Sequence, residues 1–210
     1  MKKIMITFFM IGALLFQSAC ANEGGKETYE NDLLIQEITK EMGEEVVPLI
    51  ENAEEEGELQ DILRVIRTEM GDYVDSYLST AIPWIENAGI RKNEKISDLR
   101  NIAKGYLENK RKDIEIDSQQ FNDLIYEWQY NDTNQFEKEA GSNRDAMALY
   151  IYMIAYDEND MKYDENISRE TVEDFLIRIA KHNYIRENVL IKFDKNAIDP
   201  TTVSMNNTES

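Results

Sequence analysis

The sequence predicts an all-α fold, a single bundle of about six to seven helices with a central helix that is apolar on every side. Three observations predict it. Apolar residues between positions 59 and 78 recur at steps of three and four, which is the period of a helix face. Residues 146–156 are apolar or tyrosine throughout, which is typical of a helix buried on all sides. The chain has only three prolines and nine glycines, mostly at expected helix boundaries.

The first helices follow from the apolar positions and the prolines. One helix is expected over residues 29–42 and a second over residues 44–56, where Pro48 is tolerated because it lies near the first turn. The third helix carries the apolar stripe that begins at Leu59. We expect Pro83 to kink or end this helix.

The later helices are bounded by polar residues. A fourth apolar stripe ends in a basic run that suits the helix dipole. Asp117, followed by glutamine three residues later, is typical of a capping box at the start of the fifth helix. Ser142 is expected to begin the central helix. Ser168 is expected to cap a last helix that continues to about Phe193.

The chain opens with a positively charged and then apolar leader. Lys2 and Lys3 precede an apolar run over residues 4–16. This run is shorter than the roughly 20 residues that span a hydrocarbon core, but it is normal for a signal peptide. The motif Gln17-Ser18-Ala19-Cys20 follows, and it contains the only cysteine of the chain.

This leader resembles the signal peptide of bacterial lipoproteins, although most such motifs carry leucine or a similar aliphatic residue where this sequence has Gln17. The resemblance implies that residues 1–19 are removed and that the thiol of Cys20 is modified with diacylglycerol. Two acyl chains, such as palmitate, would then anchor the protein to the extracytoplasmic face of the cell membrane. No family resemblance extends into the remainder of the chain.

Two other interpretations of the leader stay open. Ala19-Cys20-Ala21 also fits the pattern of ordinary signal cleavage, and a cut after Ala21 would remove the cysteine and release the protein. Cys20 could instead be a small apolar residue of an uncleaved anchor.

Polar segments flank the predicted helical domain, which spans residues 29–195. Residues 20–28 contain paired glycines and no large apolar residue, which predicts a lipidated N-terminus on a short flexible tether. Residues 196–210 are polar and predict a disordered tail.

Charge and composition exclude several classes of function. The chain has 42 acidic and 23 basic residues, a net charge of −19, which excludes a general nucleic-acid binder. One histidine and one cysteine exclude most zinc sites, which need about four nitrogen or sulfur ligands, and any disulfide within the chain. No cofactor is expected, because no phosphate-binding glycine loop or catalytic signature is present.

His182 is the first candidate for chemistry. Arg178 and Arg186 stand four residues to either side, on the same helical face. Two guanidinium groups would lower the pKa of the imidazole, which suits a general base. Because no serine or cysteine partner is identifiable, a structural histidine is the favoured interpretation.

Clustered carboxylates suggest three further hypotheses. Residues 157–166 could bind Ca²⁺, although lysine replaces the glycine that an EF-hand loop requires; a solvated loop is the alternative. Residues 51–58 carry five glutamates and predict a solubilising helix end or a docking face for a basic partner. Glu86 and Glu127, each near a tryptophan, could serve as the acid of a cell-wall hydrolase.

Together these observations favour a lipid-anchored, acidic helical protein of the bacterial envelope that binds another envelope protein or a basic ligand. The alternatives are a carboxylate-dependent cell-wall hydrolase and a binder of cations or basic peptides. No enzyme activity, catalytic residue, metal site or nucleic-acid partner is expected, and Cys20 is the one predicted site residue.

Overall fold

The structure is a computed structural model that describes residues 23–110, 118–131, 140–157 and 165–193. The prediction of an all-α fold is confirmed, since these ranges contain no strand beyond an isolated bridge between Lys95 and Thr171. They form eight helices, one more than the upper number predicted. The helices are α1 (Glu23–Met42), α2 (Val47–Glu55), α3 (Leu59–Asn87), α4 (Ile96–Lys110), α5 (Ser118–Asn131), α6 (Arg144–Asp157), α7 (Glu165–Arg169) and α8 (Val172–Phe193).

The chain divides into two compact units. The terminal unit comprises the residues up to 72 together with those from 182 onward, and the central unit comprises residues 73–181. The helices α3 and α8 each contribute residues to both units. The central unit is therefore an insertion between two parts of the terminal unit.

The helix α6 is the core element of the central unit. Nine of its fourteen residues are buried, on every side of the helix, so the prediction of a fully apolar central helix is confirmed. One apolar cluster surrounds it with residues that include Ile85, Leu99 and Phe175. A second cluster joins α6 to α4 and α5. Burial of each large side chain stabilises the fold by about 2 kcal/mol.

The terminal unit buries one apolar face from each of its four helices. The buried side chains recur at helical spacing, as the sequence periodicity predicts. They include Leu34 and Ile38 of α1, Val46 and Ile50 at α2, Leu63 and Ile66 of α3, and Tyr184, Ile185 and Val189 of α8.

Of the two outcomes expected at Pro83, an end of the helix is wrong, because α3 continues to Asn87 with the proline inside it. A kink at Pro83 stays a prediction. The side chain of Ile85, two residues beyond the proline, is buried and holds the last turn in the core. The helix ends instead at Gly89, whose φ of 85° requires glycine. The N–H of Ile90 donates to the carbonyl of Ile85 at 3.0 Å, which is the bond of a Schellman motif.

Two predicted helix starts are also displaced. Asn143, and not Ser142, caps α6, since its Oδ1 accepts from the N–H of Asp145 at 2.9 Å. Ser168 lies inside the short helix α7, and Thr171 caps α8. The Oγ1 of Thr171 accepts from the N–H of Asp174 at 3.1 Å, and that carboxylate accepts from the N–H of Thr171 at 3.2 Å.

The first helix begins six residues earlier than predicted, at Glu23, so residues 23–28 are helical whereas a flexible tether was expected. The physical reason is that these positions contain no proline, and each glycine costs a continuing helix only about 1 kcal/mol. The predicted leader (residues 1–19), Cys20, the cap Asp117 and the tail (residues 196–210) lie outside the described residues.

Candidate functional site

The imidazole of His182 pairs with a carboxylate of another helix of the terminal unit. Its Nδ1 lies 2.6 Å from Oε2 of Glu41, in the last turn of α1. Both side chains are partly buried. A carboxylate bound to Nδ1 fixes the orientation of an imidazole, which is the arrangement of the base and its partner in nucleophilic catalysis, but it equally ties two helices together.

A second cluster lies on α8 beyond His182. Lys192 Nζ lies 2.8 and 2.6 Å from the two carboxylate oxygens of Glu69 on α3. The buried hydroxyl of Tyr184 donates to the same carboxylate at 3.0 Å. The hydrogen bond from Lys192 is the main cause that holds the pKa of Glu69 below its usual value, and burial raises the pKa of Tyr184. The cluster therefore favours the ionised carboxylate of Glu69 and the neutral phenol of Tyr184.

A third polar group joins the middle of α1 to the first half of α3. Asn31 is only 2% exposed. Its amide donates to Gln60 and its carbonyl accepts from Arg67. Arg67 also lies 3.7 Å from the carboxylate of Glu30. Buried amides are stable only when they are hydrogen-bonded, so this group fixes how the two helices meet.

The central unit contains a buried carboxylate, Glu94, which is 7% exposed. Arg144 Nη2 donates to it at 2.9 Å, while Nη1 of the same guanidinium donates to the carbonyl of Gly89 at 2.9 Å. The N–H and Nε of Arg91 donate to Glu94 at 3.1 and 3.3 Å. Two cations thus offset the cost of burying one negative charge.

The loop that carries Glu94 is also fixed by its backbone. The carbonyl of Glu94 accepts from the N–H of Val172 at 2.9 Å, and the N–H of Ile96 donates to Glu170 at 3.1 Å. Lys92 and Glu173 form an ion pair at 3.0 Å. The loop between α3 and α4 is therefore joined to the start of α8 by both main-chain and side-chain bonds.

An aromatic groove of about 440 Å³ runs along α3 in the central unit. Its lining residues recur at helical spacing and combine aromatic rings with hydroxyl groups: Tyr73, Ser76, Tyr77, Thr80, Ala81 and Trp84. The ring of Trp84 packs edge-on against Tyr150 at 5.5 Å between centroids. Such a face combines apolar contact with hydrogen-bonding groups.

The two arginines that flank His182 in the sequence lie in different surroundings. Arg178 lies 3.4 Å from the carboxylate of Glu170 and its guanidinium stacks at 5.1 Å from the ring of Phe175. Arg186 is exposed. The partner of His182, Glu41, was not identified from the sequence, because 141 positions separate the two residues.

Most carboxylates of the predicted sites are exposed where the structure describes them. Glu86 and Glu127 are both on the surface. At the end of α2, Glu51, Glu54, Glu55 and Glu56 are exposed and Glu58 is half-buried. Most of the candidate Ca²⁺ loop lies outside the described residues. Within the described ranges, no group of three or more His, Cys, Asp or Glu side chains is arranged to hold a metal ion.

Comparison with known proteins found no relative of this chain. No family model matches the chain, and neither a curated protein nor a solved structure is similar to it. In the ranges that the structure describes, none of the helices has both the length and the apolar content needed to cross a membrane.

Proposed function

We propose that this chain is a lipid-anchored protein on the extracytoplasmic face of a bacterial cell membrane, and that it acts by binding another envelope protein or a basic ligand. The single observation that carries the proposal is the leader, which ends at Cys20, the only cysteine in 210 residues. A short apolar run followed by a lone cysteine resembles the leader of bacterial lipoproteins, apart from Gln17.

The arrangement of ionisable groups supports binding over catalysis. The carboxylates of Glu41 and Glu69 bind groups of α8 and join that helix to α1 and α3. The carboxylate of Glu94 binds Arg144 and joins the loop before α4 to α6. The exposed carboxylates at the end of α2 lie on the surface of a protein with a net charge of −19. Such a surface attracts basic partners and accelerates their association.

The hydrolase alternative has less support. The acid of a glycosidase needs an apolar pocket that raises its pKa, together with a second carboxylate about 5–9 Å away. Glu86 and Glu127 are both exposed, so neither lies in such a pocket.

The anchoring part is tested by mass spectrometry of the protein isolated from its own membranes. We expect the N-terminal residue to be Cys20 carrying diacylglycerol. A Cys20→Ala variant should lose the mass of the lipid. If residue 20 of the parent protein is unacylated, the anchoring proposal is wrong.

The binding part is tested by charge reversal at the end of α2. Proteins that bind the intact lipoprotein are first captured by crosslinking in its own envelope. We expect a variant with Glu51→Lys, Glu54→Lys and Glu55→Lys to crosslink to these proteins no longer. The matched control reverses three other exposed acids, Asp72, Asp75 and Glu86. Equal losses in the two variants would show that only total charge matters, and would contradict a docking face at α2.

A further inference from the structure

The outward face of α1 differs from the rest of the surface. Tyr29 is 63% exposed and Leu33 is 46% exposed, one helical turn apart on the same face. Gln36 and Lys40 continue this row and are also exposed. The backbone register places position 26, a lysine, one turn before Tyr29. These five positions are named the outer row of α1.

The outer row contains two lysines and no carboxylate, in a chain with 42 acidic residues. The nearest acids on α1 stand beside the row and not in it. Glu30 lies 3.7 Å from Arg67, and Glu37 and Asp32 are half-buried. The row is therefore an apolar strip with a lysine at each end, on a helix whose other positions carry acids.

The covalent chain keeps this strip close to Cys20. Two residues separate Cys20 from Glu23, where α1 begins, and the three steps along the chain span at most about 11 Å. Tyr29 lies about 9 Å further along the helix and Leu33 about 15 Å. If Cys20 is acylated, as the proposed function holds, Leu33 lies within about 26 Å of the lipid that anchors the chain, and Lys40 at the far end of the outer row lies within about 37 Å.

We infer that the outer row of α1 lies on the bilayer surface to which Cys20 is anchored. Tyrosine and leucine suit the boundary between headgroups and acyl chains, and lysines at either end suit anionic headgroups. The inference rests on the proposed lipid anchor and adds to it a fixed orientation: α1 lies along the membrane.

The contact is too weak to recruit an unanchored protein but strong enough to orient an anchored one. Each lysine near an anionic surface favours contact by about fivefold, and each partly buried apolar side chain contributes a similar factor. The anchor makes the contact intramolecular, at an effective concentration on the order of millimolar. The unlipidated domain should therefore stay in solution with the same vesicles.

A fluorescent label at one new thiol tests the inference. Because acylation consumes the thiol of Cys20, a Leu33→Cys lipoprotein carries a single reactive thiol for an environment-sensitive dye. The matched control is Val65→Cys, on α3 of the same unit, where the side chain is 43% exposed. The proteins are reconstituted into vesicles of phosphatidylcholine with phosphatidylglycerol that contain a nitroxide-bearing lipid.

We expect lipid nitroxide to quench the dye at position 33 several-fold more strongly than at position 65, and the difference to shrink in vesicles of phosphatidylcholine alone. Equal quenching at both positions in an acylated protein overturns the inference and leaves the anchoring proposal standing. A dye at position 33 that is already shielded in the unlipidated, vesicle-free domain would show self-association through α1, which also overturns it.

An unacylated Cys20 would contradict the anchoring proposal instead, and thiol titration would reveal it as a second reactive thiol. In that case Cys20 is coupled to a phospholipid maleimide, and position 33 or 65 carries tryptophan in place of the dye. Stronger quenching of the Leu33→Trp protein than of the Val65→Trp protein would still support the inference about α1. Equal quenching would overturn it.

Discussion

Glu94 is buried together with its charge, so its replacement should be costly. Glu94→Gln keeps the side-chain shape but leaves the guanidinium groups of Arg144 and Arg91 without their carboxylate. We expect the free energy of unfolding in urea to fall by about 2 kcal/mol. The control Glu86→Gln changes an exposed acid of the same unit and should stay within about 0.5 kcal/mol of the parent protein. Equal effects of the two changes would contradict a stabilising role for this carboxylate.

The pair of Glu69 and Lys192 should make stability depend on pH in the acid range. Lys192 lowers the pKa of Glu69 below 4.5, so the folded state binds this proton less readily than the unfolded state. The stabilisation is present above pH 4.5 and is lost as the pH falls through the lowered pKa.

The stability of the Lys192→Met variant, measured as the urea midpoint, should therefore fall less than that of the parent protein as the pH is lowered from about 6 to about 3. The pair is partly exposed, so solvent screens it and the effect should stay below about 1 kcal/mol. The control Arg186→Met removes an exposed cation of the same helix and should leave the acid dependence unchanged. If the acid dependence of the urea midpoint decreases equally in both variants, the cause is the change in net charge and not the pair of Glu69 and Lys192.

The residues that form these pairs could be predicted only in part. His182 is notable in the sequence because it is the only histidine, and the end of its helix near Phe193 was predicted correctly, although its start was not. Its partner could not be chosen from among 42 acidic residues, since 141 positions separate it from Glu41. Similarly, Glu94 meets Arg144 across 50 positions. Such pairs depend on how helices meet, and local periodicity carries no information about that.

At the scale of the elements, apolar periodicity predicted most of the helices, because each helix must bury one stripe. Their ends were harder to predict. Ser142 and Ser168 are good caps by residue type, but Asn143 and Thr171 occupy the positions whose side chains reach the free N–H groups. The short helix α7 was missed, since five residues give no detectable period.

Pro83 shows that tertiary burial outweighs local preference, and it supplies a prediction. Its ring removes one hydrogen bond from α3, and its own side chain is exposed, so it contributes little to packing. We expect Pro83→Ala to raise the free energy of unfolding by about 2 kcal/mol, after allowing for the greater freedom of the unfolded chain. A lower urea midpoint for Pro83→Ala would mean that the proline fits a bend that the core requires.

For the whole molecule, charge and packing act against each other. The apolar clusters of each unit favour the folded state, while a net charge of −19 at pH 7 opposes compaction through self-repulsion. The ion pairs within each unit neutralise only some of the acidic side chains. Much of it lies on the surface, where dissolved salt can screen it.

Sodium chloride should therefore stabilise the protein at neutral pH. Raising the ionic strength from about 0.01 to 0.15 M shortens the screening length from about 30 to 8 Å, so the urea midpoint should rise. The same change near pH 4.4, where the net charge is close to zero, should have little effect, because no net repulsion remains to be screened. Calcium chloride at equal ionic strength separates screening from binding. If Ca²⁺ stabilises the protein more than Na⁺ does, the carboxylates bind the ion specifically, and screening is not the whole cause.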